Sequence, residues 1–527
     1  MRRGPISRRP CRTTRFEPQG QGPGAGSDMS LLKRLAQQVG LRDEARAAEA
    51  VLSRRKLLFG GLSSLAALSP SVARAAPRPS ANRFLVDRLT FGWTEAEQLL
   101  ADTLGYHGYL EYHLNPAAIN DADCDARVAV YNRLNWSSNG LYDSLPQITM
   151  NQVIESTIVR AVYSKRQLFE RVVEFWTDHF NIEMMKSFNQ WLFPVWMRDV
   201  IRMHAMGTFP QLLAASAQSA TMMFYLDNDT SVVGHPNENY ARELMELHSM
   251  GVGSGYSQQD VEEVARCLTG WGAHHGFGEA STFEFEYEPN KHDNGPKVVL
   301  GTNIPAGGGF NDGLTVLSIL GAHPATAAFI SRKMCQRFWS YDPPQALVDA
   351  VTNTYLATNG DIKAMLRTLF TTLDPDTAGN KLKRPFHFFV SAMRATKTEI
   401  AANPTGTGSP LRDQFKAAGH EPFQWGPPDG YPDRVDAWAD AVLARWNFAA
   451  SLTNHNISNA LINIPAFLQG ATTQQQIADR MDQAIFGGTM PTEEKAVILN
   501  TLGASPNNRT IQDALGLALS APSYQWY

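Results

Sequence analysis

Several things are missing from this sequence, and each absence closes off a class of function. Cysteine is scarce: Cys11, Cys124, Cys267 and Cys335 are the four present among 527 residues. None stands in a CxxC or Cys/His spacing of the kind zinc sites use, and only three follow the export segment described below. Neither a zinc knuckle nor a disulfide framework is expected. Basic excess is also missing. The formal net charge is −4, with no Lys/Arg run after the first 56 residues, so there is no field to draw in a phosphate backbone, and nucleic acid is excluded as a partner. No Gx[ST]xG elbow, P-loop or CxxCH haem signature occurs, and no repeat of fixed period is visible.

What is present begins with an address. Ser53 to Pro77 reads "SRRKLLFGGLSSLAALSPSVARAAP": paired Arg54 and Arg55, a moderately apolar run, then Ala73-Arg74-Ala75. That order is a twin-arginine export signal with cleavage after Ala75. A transmembrane anchor is the plainer alternative, but Leu57 to Leu68 is about a dozen residues, against roughly 20 needed to span a bilayer. No later stretch approaches that length, so no stable membrane span is expected after cleavage. Residues 1–75 are read as a disordered leader plus signal peptide, with Met29 as an alternative start. The twin-arginine translocase is the expected transient partner, and the periplasm or the outside of the cell the destination.

Residues 76–527 are read as one mainly α domain, a large multi-helix globular unit with a small inserted β-hairpin. "TEAEQLLADTLG" carries Thr94 and Glu97 as a capping box and Gly105 as a stop. "SKRQLFERVVEFWTDHFN" repeats the arrangement with Ser164 and Gln167, and "YSQQDVEEVARCLTGW" with Ser257 and Asp260. Further helices are expected at 191–206, 209–226, 324–339, 344–357, 361–372, 385–398, 435–450, 473–485, 492–502 and 510–520. Between them "STFEFEYEPNKHDNGPKVVLG" alternates Phe283, Phe285 and Tyr287 with glutamates, turns at His292-Asp293-Asn294-Gly295, and resumes at Val298. "GHEPFQWGPPDGYPD", Gly419 to Asp433, has the composition of an ordered loop that packs its own rings, or of a wall for a carbohydrate.

Chemistry-bearing residues concentrate in two segments. In "NENYARELMELHSMG" a helical wheel places Glu238, Arg242 and Glu246 in one i, i+4 column, with Asn239 and Glu243 beside it and His248 on the apolar side. Only one histidine is present, so this is no HExxH metal helix. The arginine favours ionised carboxylates on either side, which suits binding better than proton donation. A salt-bridged solvated face is the bland alternative; Asn237 and Asn239, poor helix formers, argue for a polar cleft. In "FWTDHFN" His179 falls in line with Leu168, Val172 and Phe175, while Asp178 lies opposite. His179, His204 and His248 all fall near helix ends, where they either cap carbonyls or converge as base or metal ligands.

"RLTFGWTEAE", "FWTDHFNI", "MMFYLDND", "PNENYARELMELHSMGV", "GYSQQDVEEVARCLTGW", "HPATAAFISRKM" and "LGLALSAPSYQ" together, in this order, resemble the bacterial family catalogued as domain of unknown function 1800. The resemblance covers about Asn82 to the C-terminus. It implies an exported protein, often encoded beside a sulfatase-like exported family, and implies no common activity. Three readings follow. The first is a hydrolase acting on a glycan or surface polysaccharide, with Asp178, His179, Glu243 and His248 as catalytic candidates. Its substrate-binding candidates are Asn237, Glu238, Asn239, Arg242, Glu246, Trp271, His292, Asp293 and Trp425. The second is a non-catalytic scaffold partnering a sulfatase-like protein. The third is a metalloenzyme using the helix-end histidines. The sequence names no cofactor or metal.

Overall fold

The computed structural model describes residues 80–273 and 283–527. The twin-arginine segment, its cleavage site and the histidines at 274 and 275 lie outside the described residues. The described chain is mainly α, with three two-stranded antiparallel ladders.

The elements that position the site are α1 (Ala81–Leu89), α2 (Glu95–Leu114), α3 (Gln167–His179), α4 (Glu238–Glu246), α5 (Gln258–Cys267), α6 (Phe310–Ala322), α7 (Pro324–Phe338) and α8 (Pro385–Ala395). Capping chemistry sets many of their starts. The Thr94 hydroxyl accepts from the Glu97 amide, and Ser257 with Asp260 forms a complete capping box. Gly105 kinks α2 rather than ending it: at φ +69° it breaks the helix, which resumes to Leu114. Ser164 does not begin α3. Its hydroxyl accepts from Arg166 N, and Gln167 turns inward to Phe91 N and to the Ala161 and Ser164 carbonyls, so the helix starts at Gln167.

The expected strands exist, with different partners. Phe285–Tyr287 pairs with Trp271–Ala273, and Lys297–Val299 pairs with Thr302–Ile304, making two short hairpins where one long one was expected. Between them a buried knot replaces the expected turn. Asp312 on α6 accepts from Lys297 Nζ at 2.7 Å and lies 3.1 Å from His292 Nε2, while His292 Nδ1 donates to the Thr269 carbonyl at 2.8 Å.

The core is built from the apolar stripes of these helices, with Trp176, Val261, Phe338 and Phe389 fully enclosed. Residues 381–383 pair with 525–527 through backbone bonds at 2.8–2.9 Å. The Tyr527 ring receives Arg88 of α1 at 4.8 Å, and its hydroxyl accepts from Arg171 of α3 at 3.2 Å. Among the described residues no single helix is long and apolar enough to cross a membrane.

Candidate functional site

Three carboxylates recur every fourth residue along α3: Glu170, Glu174 and Asp178. That spacing puts them on one stripe, and each meets arginines supplied from far away in the chain. Arg202 forks onto Glu170 at 2.7 and 2.8 Å. Arg384, just ahead of α8, donates to Glu174 at 2.6 Å and to Asp178 at 2.8 Å. Arg337 of α7 lies 2.9 Å from Glu174 and 3.3 Å from Asp178. Burial pushes Glu174 up, and Arg337, Arg384 and Arg171 more than reverse it, holding this carboxyl at about 2. Asp178 moves the other way: burial outweighs Arg384 and Arg337, and the charge of Glu174 adds to the rise. Asp178 is therefore the member of the pair that takes up the first proton.

The next residue carries the second half of the site. His179 donates from Nε2 to the His248 carbonyl at 3.2 Å, which leaves Nδ1 to accept from Lys333 Nζ at 3.0 Å. Burial, then the Lys333 charge, keeps His179 well below the ordinary imidazole range, and brings His248 down to about 3. Lys333 itself is half-buried, and burial lowers it to about 8 against the pull of Asp178 and Asp429.

Asp178, His179, Lys333 and Arg337 line a cavity of about 210 Å³ closed by Asp429 to Asp433. Those closing residues end the aromatic loop from Gly419, which is fastened to the protein. Asn181 donates to the Trp425 and Pro427 carbonyls at 2.9 and 2.7 Å, and the Tyr225 hydroxyl donates to Gly426 O at 2.6 Å. Within the loop the Trp425 and Tyr431 rings lie 5.1 Å apart, and His420 stacks on Trp438, just beyond it, at 4.7 Å. The ordered loop expected from composition is what forms. On its far side Trp425, Asp429 and Trp438 line an open groove of about 750 Å³ that shares Asp429, Pro432 and Asp433 with the smaller cavity. Trp425 Nε1 donates to Asp429 at 2.9 Å.

The two segments singled out in the sequence do meet. Asp178 and His179 face the cavity, and the His248 ring packs 6.4 Å from that of His179. Glu243 is half-buried and lines neither cavity. Burial and then the Glu246 charge raise its carboxyl, with Arg242 opposing and Asp429 adding. The charged column of α4 is not brought there. Arg242 lies 3.7 Å from Glu238 and 3.6 Å from Glu246, Gln258 of α5 bridges Arg242 and Glu238 at 2.8 Å, and Tyr256 donates to Glu246 at 2.6 Å. This is the bland alternative, a partly exposed face that ties α4 to α5. Asn237 caps α4, accepting from the Asn239 and Tyr240 amides, and Asn239 itself is exposed. Trp271 stacks on Phe310 in the core, 5.0 Å between rings, and His292 belongs to the buried knot, with Asp293 paired to Arg266 at 2.8 Å. None of these lines either cavity. Among the described residues no group of three or more His, Cys, Asp or Glu side chains could hold a metal ion.

Glu174, Lys333, Arg337, Arg384 and Asp429 escaped sequence reasoning. The only local signal was Lys333 and Arg337 one turn apart in "SRKMCQR", which reads as a solvated face until Phe338 and Met334 are seen to be buried beside them. The chain matches, over residues 84–526, the family described as a protein of unknown function, DUF1800. It belongs to that family. No curated protein and no solved structure shows a match. The DUF1800 chain is thus placed by family and fold.

Proposed function

We propose that this DUF1800 chain is an exported hydrolase acting on a glycan that lies in the open groove and reaches past the Asp429–Asp433 rim into the small cavity. One observation carries the reading: a single fastened loop turns an aromatic platform and a carboxylate, Trp425 and Asp429, toward a large groove, and roofs a polar cavity on its other side. Sugar rings stack their C–H faces on indoles and donate hydroxyls to carboxylates. Hydrolysis of a glycosidic bond needs one carboxyl group to supply a proton and another to assist water or attack. Asp178, the readier proton carrier of its pair, takes the first role and the exposed Asp429 the second. Lys333, held by His179, fixes charge in the cavity. The twin-arginine segment supports a periplasmic or secreted address.

The test uses natively exported protein incubated with a panel of oligosaccharides and bacterial surface polysaccharides, with new reducing ends measured. Wild type is expected to release them from at least one member, and Asp429→Asn to release none. Equal release by wild type and Asp429→Asn, or no release from any member, sinks the reading. Recovery of a sulfatase-like protein by an inactive chain would turn the reading to the scaffold alternative.

A further inference from the structure

Lys333 makes no ion pair among the described residues, and Asp178 and Asp429 act on it only from beyond 4.0 Å. Asp178 is matched by Arg384 and Arg337, and Asp433 by Lys381 at 3.0 Å, whereas Lys333 makes no ion pair within 4.0 Å and its one hydrogen bond goes to neutral His179. One helical turn further along α7, Arg337 donates to carboxylates through Nη2 alone. Gln336 between them also lines the cavity. An ammonium in a half-buried position and a guanidinium with unused N–H groups, on one face of one helix, are unfinished without an anion. Asp429 and Asp433 of the closing loop line the same cavity, and Asp178, 3.3 Å from Arg337, adds a third carboxylate; ionised, all three accept and cannot donate. The two walls together require a ligand that is anionic at one end and rich in hydroxyl donors at the other.

Resting on the glycan reading above, we infer that the small cavity is a subsite for an acidic sugar ring, a hexuronate, whose carboxylate lies against Lys333 and Arg337 while its hydroxyls donate to the facing aspartates. A neutral hexose satisfies the aspartates and leaves Lys333 uncompensated. A bare anion does the reverse and meets three carboxylates. The uronate completes both walls. Lys333, lowered to about 8 when the cavity is empty, is expected to hold its proton to higher pH when the uronate carboxylate is bound.

The test measures binding of a glucuronic acid oligosaccharide and of its neutral glucose counterpart to the full exported protein by calorimetry, with a sulfated glucose oligosaccharide as a third probe. The glucuronate form is expected to bind roughly tenfold more tightly than the neutral one, the advantage disappearing in Lys333→Met, surviving in Lys333→Arg and shrinking with salt. Lys333→Met is checked for folding by its melting curve; should it not fold, acylation of Lys333 in wild type is read by mass spectrometry, and glucuronate but not glucose oligosaccharide is expected to protect it. Equal binding of charged and neutral forms, or preference unaffected at residue 333, overturns the uronate subsite while leaving the glycan groove standing. Preference for the sulfated probe overturns the carboxylate assignment. Failure of all three probes to bind overturns the subsite and the groove together.

Discussion

Gly430 packs so closely on Asp178 that a Cβ at position 430 would stand 1.9 Å from the Asp178 carbonyl oxygen, and its backbone is at φ +77°. Both facts demand glycine: the left-handed region is disfavoured for side chains, and there is no room for one. The consequence is that the loop roofing the cavity sits directly on the end of α3. Gly430→Ala is expected to cost about 2–4 kcal/mol, from left-handed strain plus overpacking. Denaturant midpoints check this. Activity should fall further than stability explains, because the roof carries Asp429.

Asp178 and Asp429 separate structure from chemistry. Burial outweighs Arg337 and Arg384 at Asp178, so Asp178→Asn removes a charge the fold disfavours while leaving those arginines to Glu174 alone, and the two effects are expected to offset to within about 1–2 kcal/mol. Asp429 is exposed, and Asp429→Asn should stay within about 0.5 kcal/mol of wild type. Loss of glycan cleavage in a normally stable Asp429→Asn protein is the expected pairing. An Asp429→Asn chain destabilised by more than about 2 kcal/mol would remove the distinction.

A pH dependence is expected from Lys383, which is buried with its Nζ 3.5 Å over the Tyr524 ring. Burial lowers it from 10.5 to about 7, with Asp87 opposing and Arg83 and Arg445 adding. Below about 7 the lysine is charged in both folded and unfolded chains, and the full cost of burying that charge is present. Between about 7 and 10.5 the folded chain gives up the proton while the unfolded chain keeps it, so this contribution makes stability rise with pH. Lys383→Met should be more stable than wild type at neutral pH and below. Its advantage should shrink as pH climbs through that window. Urea titrations of both proteins at several pH values give the comparison.

The α4 column should prove nearly inert. Glu238 and Arg242 are exposed and Glu246 partly so, and such pairs contribute about 0.2–1 kcal/mol each at most. Replacing all three by glutamine is expected to shift stability by about 1 kcal/mol or less and to leave oligosaccharide binding unchanged. Loss of binding in that triple variant would return the column to the site.

Local chemistry was the legible part of this fold. Thr94, Ser257 and Asp260 announced caps that form, and the 492–502 helix has the bounds its pattern predicts. The wheel sent both His179 and His248 toward apolar sides, which is why they meet. What stayed hidden depends on distant partners. Strand alternation identified Phe285 and Tyr287, but nothing local tells them to join Trp271–Ala273 rather than Lys297–Val299. Glu174 finds Arg337 and Arg384 from two other helical regions, and charge pairing across such separations leaves no periodic trace. Gly430 fell within the loop read from Gly419 to Asp433; that it rests on Asp178 is purely tertiary.

The clasp between Arg88 and Tyr527 bears on the order of events during folding. The first described helix and the 524–527 segment hold each other, and Arg171 and the 381–383 backbone join them. Helices can form one by one from local contacts, whereas this clasp joins opposite ends of the described chain, and the entropy of closing so long a loop delays it. Final packing therefore comes late, with helices α1 and α3 partly unsheltered until the 524–527 segment docks.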